Sequence, residues 1–157
     1  MKAATEMEME LEQTTNQTNE KEELTVPAFA YELLRNILIP ELLGKDTSEI
    51  LYWAGKHLAR KFPLMSMDEI IAFFNEAGWG NLSVLKQDKH GIELELTSEL
   101  ITRQFERKAE TRFKLEAGFL AEQVQTQRNV LTEANDEIIK KGKKVHFIVQ
   151  WDSRDSI

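Results

Sequence analysis

The chain contains no cysteine. Disulfides, thiolate nucleophiles and thiolate-ligated metals are therefore excluded. Histidine is almost as scarce: His57, His90 and His146 are the whole supply, no two sit at i/i+4, and nothing like His-Glu-x-x-His occurs. No metal site is expected. The seven glycines are scattered at positions 44, 55, 78, 80, 91, 118 and 142, so no glycine-rich phosphate loop exists, and no serine stands in a Gly-x-Ser-x-Gly elbow. Glu93 and Glu95 lie two apart, but on a face that reads as solvated, where neither carboxyl would be pushed toward a general-acid role. From these absences we expect a protein that is not an enzyme and carries no cofactor.

Long apolar runs are missing too. Phe29–Leu43 is interrupted by Glu32, Arg35, Asn36 and Glu41, and falls short of the roughly 20 residues that span a bilayer. Met1 to Asn19 is polar and acidic rather than signal-like. The expected location is cytoplasmic, without membrane insertion. The formal charge is −7. Residues 1–23 hold seven Glu and two Lys, a net of −5, leaving −2 for the rest. Basic residues beyond the tail are interleaved with acids, as in Glu106-Arg107-Lys108-Ala109-Glu110, so no phosphate-tracking face and no nucleic-acid partner are expected. The one basic cluster, Lys140, Lys141, Lys143 and Lys144 around Gly142, reads as a solvated turn.

What is present divides in two. Residues 1–24 lack periodicity and bury too little to offset their ordering entropy, so they read as a disordered acidic tail. Residues 25–157 are long enough for a single α/β domain. Thr25-Val26-Pro27 opens a first helix, whose apolar set from Phe29 to Leu43 covers well over half of its circumference. Pro40 should kink it. Asp46-Thr47-Ser48 caps a second helix, which Pro63 ends. Ser66-Met67-Asp68-Glu69 is a capping box for a third, with Gly78 placed to close it.

The period then changes from 3.6 to 2. Leu82 and Val84 alternate, Asp88–Gly91 turns the chain, and Ile92, Leu94 and Leu96 alternate with Glu93 and Glu95. A fourth helix is expected from about Glu110 to Arg128, with Phe113, Ala117, Leu120, Ala121 and Val124 as its stripe. Strands near Val130–Ile139 and Val145–Trp151 form the closing hairpin. The order α-α-α-β-β-α-β-β gives an α+β fold, with helices packed on one face of a four-stranded antiparallel sheet. Gly55 and Gly118 fall inside helices, where each costs about 1 kcal/mol against alanine. A close helix–helix approach would justify both.

Leu51-Tyr-Trp-Ala-Gly55, Phe73-Phe74-Asn-Glu-Ala-Gly78-Trp79-Gly80, Ala117-Gly118-Phe119-Leu120 and Val145-His-Phe-Ile-Val149 occur at separations that resemble the 4-vinyl reductase small-ligand-binding domain. The same fold is found in TRAPP vesicle-tethering subunits. Within this superfamily, Val26 to Trp151 is most similar to the uncharacterised YslB-like family of Bacillus-type bacteria. The resemblance implies a NO-signalling/Golgi-transport ligand-binding-like fold. It also suggests an apolar pocket between helices and sheet. Without cysteine, the acylation or thiol chemistry of some relatives cannot carry over.

Two candidate sites follow. The over-wide apolar surface of the first helix, at Phe29, Leu33, Leu34, Ile37 and Leu38, suits a homodimer interface in a binding or assembly module. The aromatics Phe73, Phe74, Trp79, Phe113 and Phe119 are candidates for lining a pocket that takes a small hydrophobic ligand. A protein partner is the further possibility.

Overall fold

The computed structural model describes residues 24–107 and 112–157. The expected tail therefore lies, but for Leu24, outside the described residues, as does the expected helix start at Glu110. The first helix, α1 (residues 28–43), is continuous but changes pitch: α-helical over Ala28–Glu32, π-helical over Leu33–Leu38 and α-helical again over Ile39–Leu43. The Ile39 N–H donates to the Leu34 carbonyl five residues back. The wider turn lies just ahead of Pro40, which lacks an N–H and would crowd a regular α-helical turn. Pro40 thus comes with a change of pitch where a kink was expected.

A 3-10 turn, Gly44–Asp46, leads into α2 (Thr47–Lys61). Asp46 occupies the N-cap position without a side-chain cap; Thr47 instead donates its hydroxyl to the Gly44 carbonyl at 2.5 Å. The capping box of α3 (Met67–Glu76) forms as read. Ser66 Oγ accepts the Glu69 N–H at 3.2 Å, and the Glu69 carboxylate reaches back to the Met65 N–H. At the other end Gly78, with φ +74°, closes a Schellman turn in which Trp79 N–H reaches the Phe74 carbonyl at 2.9 Å.

Strands β1 (Asn81–Gln87) and β2 (Gly91–Thr97) form the first hairpin, β3 (Val130–Ile139) and β4 (Lys144–Ser156) the second. The sheet order is β1-β2-β4-β3, antiparallel at each join. Between the hairpins lie two helices, not one. The unexpected α4 (Glu99–Glu106) is capped by Ser98, whose Oγ accepts the Ile101 N–H at 3.0 Å. It precedes α5 (Lys114–Arg128), for which Asn129 supplies a left-handed C-cap.

One face of the sheet carries Leu82, Ile92, Leu94, Leu96, Val145, Phe147 and Val149, all buried. Helix α5 packs over that face and α2 packs over α5. Sandwiched in this way, α5 buries nine consecutive residues, Glu116 through Val124. The α2–α5 contact is backbone on backbone. A Cβ on Gly118 would stand 1.9 Å from the Tyr52 carbonyl oxygen, and one on Gly55 2.0 Å from that of Leu115. The close approach that justifies two helical glycines is there.

Gly118→Ala is therefore expected to force the two backbones apart and cost about 3 kcal/mol, a fall in Tm of roughly 6–12 °C. A thermal melt superimposable on wild type would contradict the crossing.

Candidate functional site

Helix α1 turns its polar side inward. Tyr31, Glu32, Arg35 and Asn36 fall at i, i+1, i+4 and i+5, a single face, and each meets a partner on another element or along the helix. Glu32, 1% exposed, accepts from Arg103 Nε at 2.7 Å and pairs with Arg107 Nη2 at 2.5 Å. Arg35 donates through Nη2 to both oxygens of the buried Glu116 on α5, the longer contact being 2.6 Å, and through Nη1 to the Tyr31 hydroxyl at 2.8 Å. Gln104 Nε2 donates to Asn36 Oδ1 at 3.2 Å. Burial lowers the Arg35 pKa, but the charges of Glu116 and Tyr31 and the hydrogen bonds to them together hold it above its usual value. Burial beside this pair raises the Tyr31 phenol.

The opposite side of α1 is apolar and bare. Phe29, Leu33, Leu34, Ile37, Leu38 and Leu42 are 42% to 72% exposed. The five side chains expected at an interface thus share an uncovered surface, and α2 adds Trp53, 61% exposed, with His57 stacked on it at 5.6 Å. His57 is accordingly a surface residue.

The expected aromatic pocket takes a different form. Phe73, Phe74, Trp79 and Phe119 do converge where α3 and α5 meet, but ring packs on ring, with centroids 4.7 Å apart for Phe73–Phe119 and 5.0 Å for Phe74–Trp79. Phe113 stands apart, at the N-cap of α5. Its N–H donates to Asp136 at 2.9 Å and its ring centre lies 6.0 Å from the Arg35 guanidinium. The reason for the separation is chain geometry: six residues and more than a helical turn divide Phe113 from Phe119.

A cavity of about 370 Å³ lies elsewhere, between α1, the 44–48 turn, α2 and the end of α4. Arg35, Lys45, Arg107 and Arg112 contribute the cations of its lining, Ile37, Pro40 and Leu51 its apolar part, and no carboxylate lines it among the described residues. None of the five aromatics borders it. Neither this cavity nor the buried ion pairs was foreseen; the spacing of Tyr31, Glu32, Arg35 and Asn36 was the available signal, a polar face inside an otherwise apolar run.

Tyr52 ties the helices to the sheet. Its hydroxyl donates to Glu133 at 2.8 Å and accepts the Ala134 N–H at 3.1 Å, and burial raises its pKa. His90 sits in the β1–β2 turn, where its N–H donates to Asp88 at 2.7 Å. His146 projects from the outer face of β4, 3.8 Å from Glu137. Glu95 on that face pairs with Lys144 at 2.6 Å, which answers its charge outside any acid–base pair. No cluster of three metal-ligating side chains occurs among the described residues, and none of their helices is long and apolar enough to cross a membrane.

Residues 28–150 match the model of a protein family of unknown function, DUF2507. The uncharacterized protein YslB of Bacillus subtilis is 45% identical over 135 residues, covering 86% of this chain and 91% of that one. Two solved structures share the fold. A vinyl-4-reductase family protein from Methanocaldococcus jannaschii superposes with TM-score 0.61 at 19% identity, over 85% of this chain and 86% of the other. The phenol-responsive sensory domain of the transcription activator PoxR, solved with phenol, gives 0.58 at 12% identity, over 82% and 76%. The chain belongs to the DUF2507 family. The expected likeness to YslB and to the vinyl-4-reductase type of domain holds.

Breaking the α1 tie tests its role. Glu116→Ala leaves the Arg35 guanidinium buried without its carboxylate, and is expected to lower the urea-derived unfolding free energy by about 3–5 kcal/mol. The double variant Arg35→Met, Glu116→Leu should regain most of that loss. Equal destabilisation by both would mean that the site needs charge rather than filled volume.

Proposed function

We propose that this protein is a non-enzymatic, cytoplasmic binding and assembly module that works as a homodimer, joined through α1 and the adjoining surface of α2. One observation carries the reading: α1 has its polar face inside and its apolar face outside. Packing against its own domain uses Glu32, Arg35 and Asn36, and the row of Phe29, Leu33, Leu34, Ile37, Leu38 and Leu42 stays 42% to 72% exposed. A patch of this extent is what a monomer avoids. A two-fold axis would set each copy's row against its equivalent.

Magnitudes make the balance close. Half-exposed side chains of this size gain on the order of 1 kcal/mol each on full burial. Seven from each of two copies amount to roughly 10–15 kcal/mol, comparable with the 4–15 kcal/mol that association costs in lost freedom. A charge placed in the row should therefore be decisive. Analytical ultracentrifugation at micromolar concentration is expected to give twice the chain mass for wild type and a folded monomer for Leu34→Glu. A wild-type monomer would end this reading.

A second reading, a carrier or sensor of a small hydrophobic ligand, is favoured by the open cavity and by the shared fold with a sensory domain solved with phenol. Native mass spectrometry of gently purified protein is expected to show a mass above that of the bare polypeptide; the bare mass alone would count against this reading and leave the dimer untouched.

A further inference from the structure

The described lining of the 370 Å³ cavity carries charge of one sign. Among the described residues, four cationic side chains, Arg35, Lys45, Arg107 and Arg112, border it and no carboxylate does. Glu116 holds Arg35 and Glu32 holds Arg107, each acid being almost fully buried. Those pairs fix the guanidinium groups in place. Arg112 is steadied by Ser48, to whose Oγ its Nη1 donates at 3.1 Å. Lys45 has no hydrogen bond or ion pair among the described residues. Its charge is the one that the fold does not use.

The rest of the lining is of the opposite kind. Ile37, Pro40 and Leu51 supply apolar surface beside the cations, and Asn36 and Gln104 supply neutral polar groups already bonded to one another. The volume falls in the range of about 300–1,000 Å³ of ordinary small-molecule sites. Positioned cations next to a short apolar wall match a molecule with an anionic head and an apolar body.

From this arrangement we infer that the cavity between α1, α2 and α4 binds a small amphiphile with a single anionic headgroup, a carboxylate or a phosphate, with Lys45 and Arg112 taking the head and Ile37, Pro40 and Leu51 the body. The inference deepens the ligand-binding reading given above. It moves the site from the aromatic cluster to the cavity and makes the guest charged.

Titration calorimetry of the full chain with decanoate, decyl phosphate, decanol and inorganic phosphate tests it. At least one of the two anionic amphiphiles is expected to bind, and the tighter of them identifies the headgroup as carboxylate or phosphate. Decanol and inorganic phosphate, each lacking half of the required chemistry, should bind at least about tenfold more weakly. Lys45→Glu, at an exposed side chain on which no fold contact depends, should weaken the anionic amphiphile about tenfold with an unchanged thermal melt; Lys45→Gln should lie between. Decanol binding as tightly as decanoate, indifferent to both Lys45 variants, would overturn the anionic site yet keep a carrier of neutral molecules. No binding by any of the four probes would overturn both.

Discussion

Two peptide backbones meet where α2 crosses α5, and the rest of the molecule is arranged around that contact. With Gly55 facing the Leu115 carbonyl and Gly118 facing that of Tyr52, no side chain separates the helices. Each glycine costs about 1 kcal/mol in helix propensity, a penalty that is repaid only if closeness matters. It matters because α5 is already pressed against the sheet. Held between two layers, α5 can bury even Glu116 and Gln123, each with specific partners: Glu116 with Arg35, Gln123 with the Phe62 carbonyl and the Leu64 N–H at 2.7 and 3.1 Å. Tyr52 serves the same joint twice. Its carbonyl stands over Gly118 while its hydroxyl bonds β3, so one residue fixes α2 to helix and sheet together.

From that joint α1 follows by electrostatics rather than by apolar packing. Its inward residues are bound to Glu116 on α5 and to Arg103, Gln104 and Arg107 at α4. A buried ion pair adds little net stability over an apolar replacement, because desolvation offsets most of the Coulomb attraction. What it does supply is a fixed position, since a buried guanidinium out of register with its carboxylate is costly. The π-helical stretch before Pro40 belongs to the same arrangement: it keeps α1 continuous, so that the apolar side chains on either side of the proline remain on one surface.

Local patterns reveal local structure, and that marks how far the sequence could be read. The Ser66–Glu69 box, the Gly78 stop, the period-two run through Ile92, Leu94 and Leu96, and the small residues at the α2–α5 crossing each act within a few residues, and each is where it was expected. Helix α4 escaped because Ser98 is followed three residues later by Ile101 rather than by Glu or Gln, and because eight residues are too few for periodicity to declare itself. The ion pairs join positions 71 and 81 residues apart, which no spacing rule reaches. The aromatics were correctly sensed as a group at Phe73, Phe74, Trp79 and Phe119, but whether rings enclose space or fill it depends on distances of an ångström or two. The cavity is assembled from three segments distant in the chain, and its charge is visible only once they meet.

The exposed apolar row and one side of the cavity belong to the same helix. Phe29 to Leu42 line the outside of α1, while Arg35, Asn36, Ile37 and Pro40 border the cavity at its edge. Ile37 is common to both, 44% exposed on the apolar row and part of the cavity lining. A second copy packed on α1 would therefore narrow the cavity mouth, and a guest held in the cavity would press on the helix that such a copy would use. Linkage then leaves no freedom: whatever factor the guest changes dimer affinity by, dimerisation changes guest affinity by the same factor.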